Sequence, residues 1–199
     1  MAELPSYIST EFDHFERNAR QDGCLETTEN IYKPIASVDQ TDIEFLIPAD
    51  SDTYIDPNIK LFIRGKLFKT DGTVLAETDY IAGVNNLLHS LFTQCTISLN
   101  GTQISQASEN YNYRAYLETL MTYATDAADS HLKMANWELD EGNLLAGDCS
   151  KPNEVSNTGF LARWNNVKKS QEVHMYGRLH ADIWNVPKLI INGVKVEFN

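Results

Sequence analysis

Residues 85–139 read NNLLHSLFTQCTISLNGTQISQASENYNYRAYLETLMTYATDAADSHLKMANWEL, and the order of signals in this stretch decides the fold class. Cys95, Ile97 and Leu99 alternate with Thr96 and Ser98, so a strand runs straight into Asn100-Gly101. Both central residues of a type I′ turn take positive φ, which makes Asn-Gly the strongest short-range hairpin signal. A helix is predicted over Tyr111 to Tyr123. Tyr113, Tyr116, Leu117, Leu120 and Ala124 recur at three- and four-residue intervals, one stripe expected to lie buried against the sheet. Strand, tight turn and helix inside a strand-rich chain predict an all-β class: a jelly-roll sandwich with one or two helices in its connections.

Strand signals continue on both sides. Ile43, Phe45 and Ile47 alternate with Asp42 and Glu44 until Pro48 ends the run. From Ile59 to Lys69, Leu61, Ile63, Gly65 and Leu67 share one face, Phe62, Arg64, Lys66 and Phe68 the other, and Asp71-Gly72 turns the chain back through Thr73 to Glu77. Val84 to Phe92 fits a helical turn better than a strand but is too short to decide. Residues 125–170 carry few strand signals, and so long a connection is expected to hold local helix. Val173, Met175, Gly177, Leu179, Ala181 and Ile183 then alternate with Glu172, His174, Tyr176, Arg178, His180 and Asp182, the pattern of a strand with one face towards a core. Leu189 to Ile191, Asn192-Gly193 and Val194 to Phe198 predict a closing hairpin. Residues 1–38 read as an N-terminal arm, either with one short helix around Thr10 to Ala19 or as a disordered tail. Residues 39–199 read as the jelly roll.

The net charge of −12 is a poor composition for gripping nucleic acid, which takes clustered Lys and Arg to neutralise phosphates, so no direct nucleic-acid contact is expected. Lys168-Lys169 is the pair that stands out, and it reads as solvated surface. Cys24, Cys95 and Cys149 are odd in number and far apart, which suits a reducing intracellular compartment better than a disulfide framework. Cys95 reads as a small core hydrophobe. The start, Met-Ala-Glu-Leu-Pro-Ser-Tyr-Ile, is no secretory signal, and no apolar run approaches the roughly 20 residues of a membrane span. A soluble chain, in a virion or inside a cell, is expected.

Catalytic signals are weak. Of His14, His89, His131, His174 and His180, the last two share one predicted strand face, but six residues set them about 20 Å apart, too far to ligate one ion. No HExxH, GxSxG or Gly-rich phosphate loop is present. The acidic stretches Asp50 to Asp56 and Glu77 to Tyr80 lack EF-hand spacing. No catalytic, cofactor-binding or metal-ligating residue is assigned, and the chain is not expected to be an enzyme. Trp137, Trp164 and Trp184 sit in predicted loops and read as local core plugs, with interface anchoring the alternative.

Three words of the sequence carry a resemblance: NNLLHSLFTQCTISLNG (Asn85 to Gly101), YNYRAYLETLMTY (Tyr111 to Tyr123) and GRLHADIWNVPKLIINGV (Gly177 to Val194). With Tyr54-Ile-Asp-Pro and the Asp71-Gly72 turn, their order and spacing over residues 40–198 resemble the capsid proteins of Maverick/Polinton-type transposons and their adintovirus relatives. The resemblance implies a double-jelly-roll major capsid protein that assembles as trimeric tiles with other coat proteins. One jelly roll fills this length, so the expectation is an N-terminal portion short of its last strand, whether a fragment, a truncated gene copy or a cut subunit. Such a portion is expected to self-associate or be only marginally stable alone, and to become soluble and trimeric with a downstream second jelly roll. A different class remains open: a jelly-roll binding module for carbohydrate or peptide, such as a domesticated host protein. A cupin-like enzyme would need clustered His ligands that the spacing does not supply.

Overall fold

The structure, a computed structural model, describes residues 25–35, 42–105, 110–141 and 157–199. The chain divides between Tyr32 and Lys33 into two units. Residues 25–32 of the first are exposed and carry no regular secondary structure; the folded elements below belong to the second. The predicted helix at Thr10 to Ala19 lies outside the described residues, as do Cys24 and Cys149.

Two antiparallel sheets, accompanied by helices, make up the second unit. One sheet has the order β1-β6-β3-β4, formed by β1 (Phe45–Ile47), β3 (Ile97–Leu99), β4 (Thr102–Gln103) and β6 (Val196–Phe198). The other pairs β2 (Lys60–Gly65) with β5 (Val173–Arg178) in the register Phe62 to Tyr176 and Arg64 to His174. The β3–β4 turn is the hairpin that Asn-Gly specifies, with Asn100 at φ 49° and Gly101 at φ 77°. Asn100 does more than turn the chain: its side-chain oxygen accepts the Lys195 N–H at 2.9 Å and seats β6 beside β3.

Each sheet buries one face. Ile47, Ile97, Val196 and Phe198 from the four-stranded sheet close with Ala181 and Trp184 into one core. Met175 from the β2–β5 ribbon packs with Leu88 and Ala135 into a second, joined by Leu61, Ile63 and Val173. The alternation read from Ile59 to Lys69 holds throughout: odd positions are partly buried and even positions exposed. Gly177 lets β5 approach the short helix α1 (Leu87–Ser90), because a Cβ there would lie 2.7 Å from a Leu88 methyl.

Helix exceeds the all-β expectation of one or two connecting helices: 28% of the structure is helical against 18% strand. Besides α1 and α2 (Tyr111–Thr122) there are α3 (Thr125–Ala128), α4 (Thr158–Val167) and 3-10 turns at His131–Ala135, Lys168–Ser170 and Asp182–Asn185. A long connection satisfies its own backbone by coiling, which an extended loop cannot do away from water. Arg163 then ties α4 down. It is buried, and its guanidinium donates to the Gly83 carbonyl at 3.1 Å, the Glu138 carbonyl at 2.9 Å and the Asp140 carboxylate at 2.7 Å. Asn157 caps α4 by accepting from Phe160 N–H and donates to the same Asp140 oxygen.

Two strand readings are corrected. The run from Glu172 to Ile183 is not one strand: β5 ends at Arg178, and Asp182–Asn185 coils into a 3-10 turn. The cause is tertiary, since His180 and Asp182 are drawn to partners on α2. The closing segment is not a hairpin either. Gly193, at φ 73°, reverses the chain, but Ile190 bridges to Ile55 while β6 pairs with β1 and β3. The three tryptophans are buried as plugs, although Trp164 sits on α4 and Trp184 in the 3-10 turn rather than in open loops.

Candidate functional site

The predicted helix forms, but it is rolled half a turn from expectation. Tyr111, Ala115, Glu118 and Thr119 share one side of α2, and Tyr113, Leu117 and Leu120 the opposite side, with Met121 beside them, at about 100° per residue. Tyr111, Ala115 and Thr119 are the buried residues. The stripe expected to face the sheet faces outward: Tyr113 is 68% exposed, Leu117 48%, Leu120 52% and Met121 80%. Tyr116 sits at the margin with its ring 5.1 Å from Trp137. Period alone gave two opposite stripes. The polar one is inside because each of its polar groups has a partner there. Truncating Leu117 to alanine is therefore expected to cost about 0.5 kcal/mol or less, the scale of a surface change. A loss of some 2 kcal/mol in urea unfolding, the onset of the core range, would put the stripe back inside.

The inner side of α2 joins a chain of polar groups from three other elements. His89, on α1, meets the Tyr111 hydroxyl through Nδ1 at 3.0 Å. Its ring stands edge to face with that of His180, just past β5, with centroids 4.6 Å apart. The His180 main-chain N–H donates to the same Tyr111 oxygen at 3.4 Å. His180 Nδ1 lies 2.7 Å from Glu118 Oε2 and, since a carboxylate only accepts, is the donor there. Arg114 donates to the other Glu118 oxygen at 2.9 Å and to Asp182 at 2.5 Å.

Burial first, and then the neighbouring His180, push His89 down to about 3; burial also lowers His180 against the opposing pull of Glu118. Burial raises Tyr111, and it raises the Cys95 thiol to about 11. The Asp182 carboxyl is held below its usual range by the Arg114 guanidinium. A cavity of about 110 Å³ lies alongside, lined by residues including Cys95, Ser105, Tyr111, Arg114, His180 and Asp182. Cys95 stays a neutral thiol there and a poor nucleophile. Arg114 is occupied by two carboxylates, and His89 is only 2% exposed. The arrangement fastens α2 to α1 and to the end of β5, and in doing so presents the apolar side of α2 to solvent.

A pH dependence follows. The unfolded chain binds a proton at His89 near its ordinary value of 6.5, whereas the folded chain does so only near 3. Stability is thus full above about pH 6.5 and falls as pH drops towards 3. At about 1.4 kcal/mol per unit, His89 alone removes about 2 kcal/mol between pH 6.5 and 5, and His180 acts in the same direction. Urea unfolding at pH 7.5 and 5.0 checks this, and equal free energies would show that the pair is not buried neutral.

The other histidines stay apart from this cluster. His174 is exposed on β5, 2.8 Å from Glu172, and the ring of His131 lies 5.4 Å from that of Tyr123; His14 lies outside the described residues. Among the described residues, no three His, Cys, Asp or Glu side chains converge to hold a metal ion. No helix among them is long and apolar enough to cross a membrane. The histidine pair was not legible in the sequence, because 91 positions separate His89 from His180 and the expected strand sent His180 the other way.

No family model matches the chain, and no solved structure does. Over 134 residues, 67% of this chain, it is 22% identical to an uncharacterized protein of Caenorhabditis elegans. The match spans 29% of that protein's length.

Proposed function

We propose that the chain is a structural subunit of a protein shell, a major capsid protein of the Maverick/Polinton kind, which assembles by trimeric self-association. The observation that carries this reading is the outward apolar side of α2. Tyr113, Leu117, Leu120 and Met121 are all about half exposed or more on a single helix that the buried polar chain holds in place. A contiguous apolar patch on a folded chain marks an interaction surface. The two antiparallel sheets, each with one buried face, support a jelly roll as the finer architecture. The resemblance of Asn85 to Gly101, Tyr111 to Tyr123 and Gly177 to Val194 to capsid proteins supports the shell.

Sedimentation velocity over a range of protein concentrations tests the proposal. The wild-type chain is expected to self-associate, and Leu117→Glu with Met121→Glu to leave a folded monomer. A wild-type chain that is monomeric at every concentration would remove the shell reading and favour a jelly-roll binding module for carbohydrate or peptide.

A further inference from the structure

The outer face of the β2–β5 ribbon is a basic and aromatic surface in an otherwise acidic chain. Register sets Lys60 opposite Arg178, Phe62 opposite Tyr176 and Arg64 opposite His174. The exposed alternation of β2 continues past the strand to Lys66 and Phe68. Phe62 is 59% exposed and Phe68 53%. The ring of His174 stands edge to face with Phe62 at 5.9 Å, and the Lys60 ammonium lies 5.4 Å from the centre of the Tyr176 ring. Glu172 is the carboxylate on this face among the described residues, 3.7 Å from Arg64. Leu61, Ile63 and Met175 occupy the opposite face and pack inward.

We propose that this face docks on an acidic surface of a second copy of the chain, in a contact whose two sides are different patches. The inference rests on the self-assembly reading above and specifies its geometry. Lys60, Arg64 and Lys66 are exposed, and Arg178 is half-buried with its Nε enclosed. Together they are four of the chain's 16 cationic side chains, and Glu172 is one of its 28 acidic ones. Removing these from the totals leaves 12 cations against 27 acids on the rest of each copy. Every copy therefore offers what this face lacks. The face does not pair with itself, because a two-fold would press four cations against the same four within a screening length of about 8 Å. A contact between unlike patches closes into a ring when its rotation permits, and a trimer is one such ring. Exposed aromatic and Arg side chains are also the residues that carry protein interfaces. A polyanion is the less favoured occupant, since four cations set in a chain of net charge −12 make a weak phosphate grip.

The test is sedimentation of the whole chain in low and high salt, beside Lys60→Glu/Arg64→Glu/Lys66→Glu and the charge-keeping Lys60→Arg/Arg64→Lys/Lys66→Arg. All three positions are exposed, and circular dichroism with a melting curve checks that each variant folds. Wild type is expected to dissociate about tenfold more readily at high salt, the reversed variant to lose assembly at least about tenfold, and the charge-keeping variant to retain it. Assembly that is indifferent to salt and equal in the reversed variant overturns this contact and leaves the shell reading standing on α2. A wild-type chain that never assembles overturns both. A fluorescent single-stranded oligothymidine that binds wild type at physiological salt but not the reversed variant, with assembly unchanged, overturns the second copy in favour of nucleic acid.

Discussion

Trp184→Ala is expected to lower the unfolding free energy by about 3–5 kcal/mol, the range for emptying a fully buried Trp site. Trp184 has no exposed surface and is enclosed by Ile47, Ile97, Ala181, Val196 and Phe198, its ring 5.5 Å from that of Phe198. These neighbours come from β1, β3, β6 and the end of the β5 segment, so the cavity would open where four pieces of chain converge. β6 and β3, each paired on both sides, relax little around such a void. The indole N–H meets no acceptor in the structure. Trp184→Phe, which keeps much of the packing and removes that donor, is therefore expected to lose about 2 kcal/mol or less. Urea unfolding of both variants reads the difference. An alanine variant within about 1 kcal/mol of wild type would mean that the four-stranded sheet is not closed over this ring.

Arg163→Met is expected to cost about 3–5 kcal/mol, the usual result of breaking a buried ion pair from one side. The methionine replaces the apolar stem but leaves the carbonyls of Gly83 and Glu138 without this donor, and the Asp140 carboxylate without its countercharge and with only the Asn157 amide still donating to it. Arg163→Lys keeps the charge and still fails at most of this, because one ammonium does not span three acceptors as a planar fork does. Adding Asp140→Asn to Arg163→Met removes the stranded charge, so the double variant is expected to fall short of the sum of the single losses. Strict additivity in equilibrium unfolding would show that the two side chains are not one unit. Gly159 makes the site exacting, since a Cβ there would sit 2.3 Å from the Leu139 carbonyl oxygen. The segment that Arg163 binds lies directly across the first turn of α4.

What the sequence determined by itself was local. Asn100-Gly101 turns because both residues accept positive φ, and β2 alternates because a strand with one wet face must. The helix at Tyr111 to Thr122 follows from a three-and-four period, and the individual strands from two-residue alternation. Tertiary structure decided the rest. The period of α2 defines two opposite stripes, and partners 22 to 69 positions away, at His89 and His180, chose the polar one for burial. The same partners ended β5 at Arg178 and turned His180 inward against its expected strand face. Gly193 fixed a reversal without fixing its consequence, because strand pairing belongs to whichever edge is open, and β1 and β3 offered theirs to β6. The charge of the whole chain argued against a nucleic-acid grip but located no basic surface, since a sum over residues carries no positions. Only the pairing of β2 with β5 set Lys60 beside Arg178 and Arg64 beside His174 on one face.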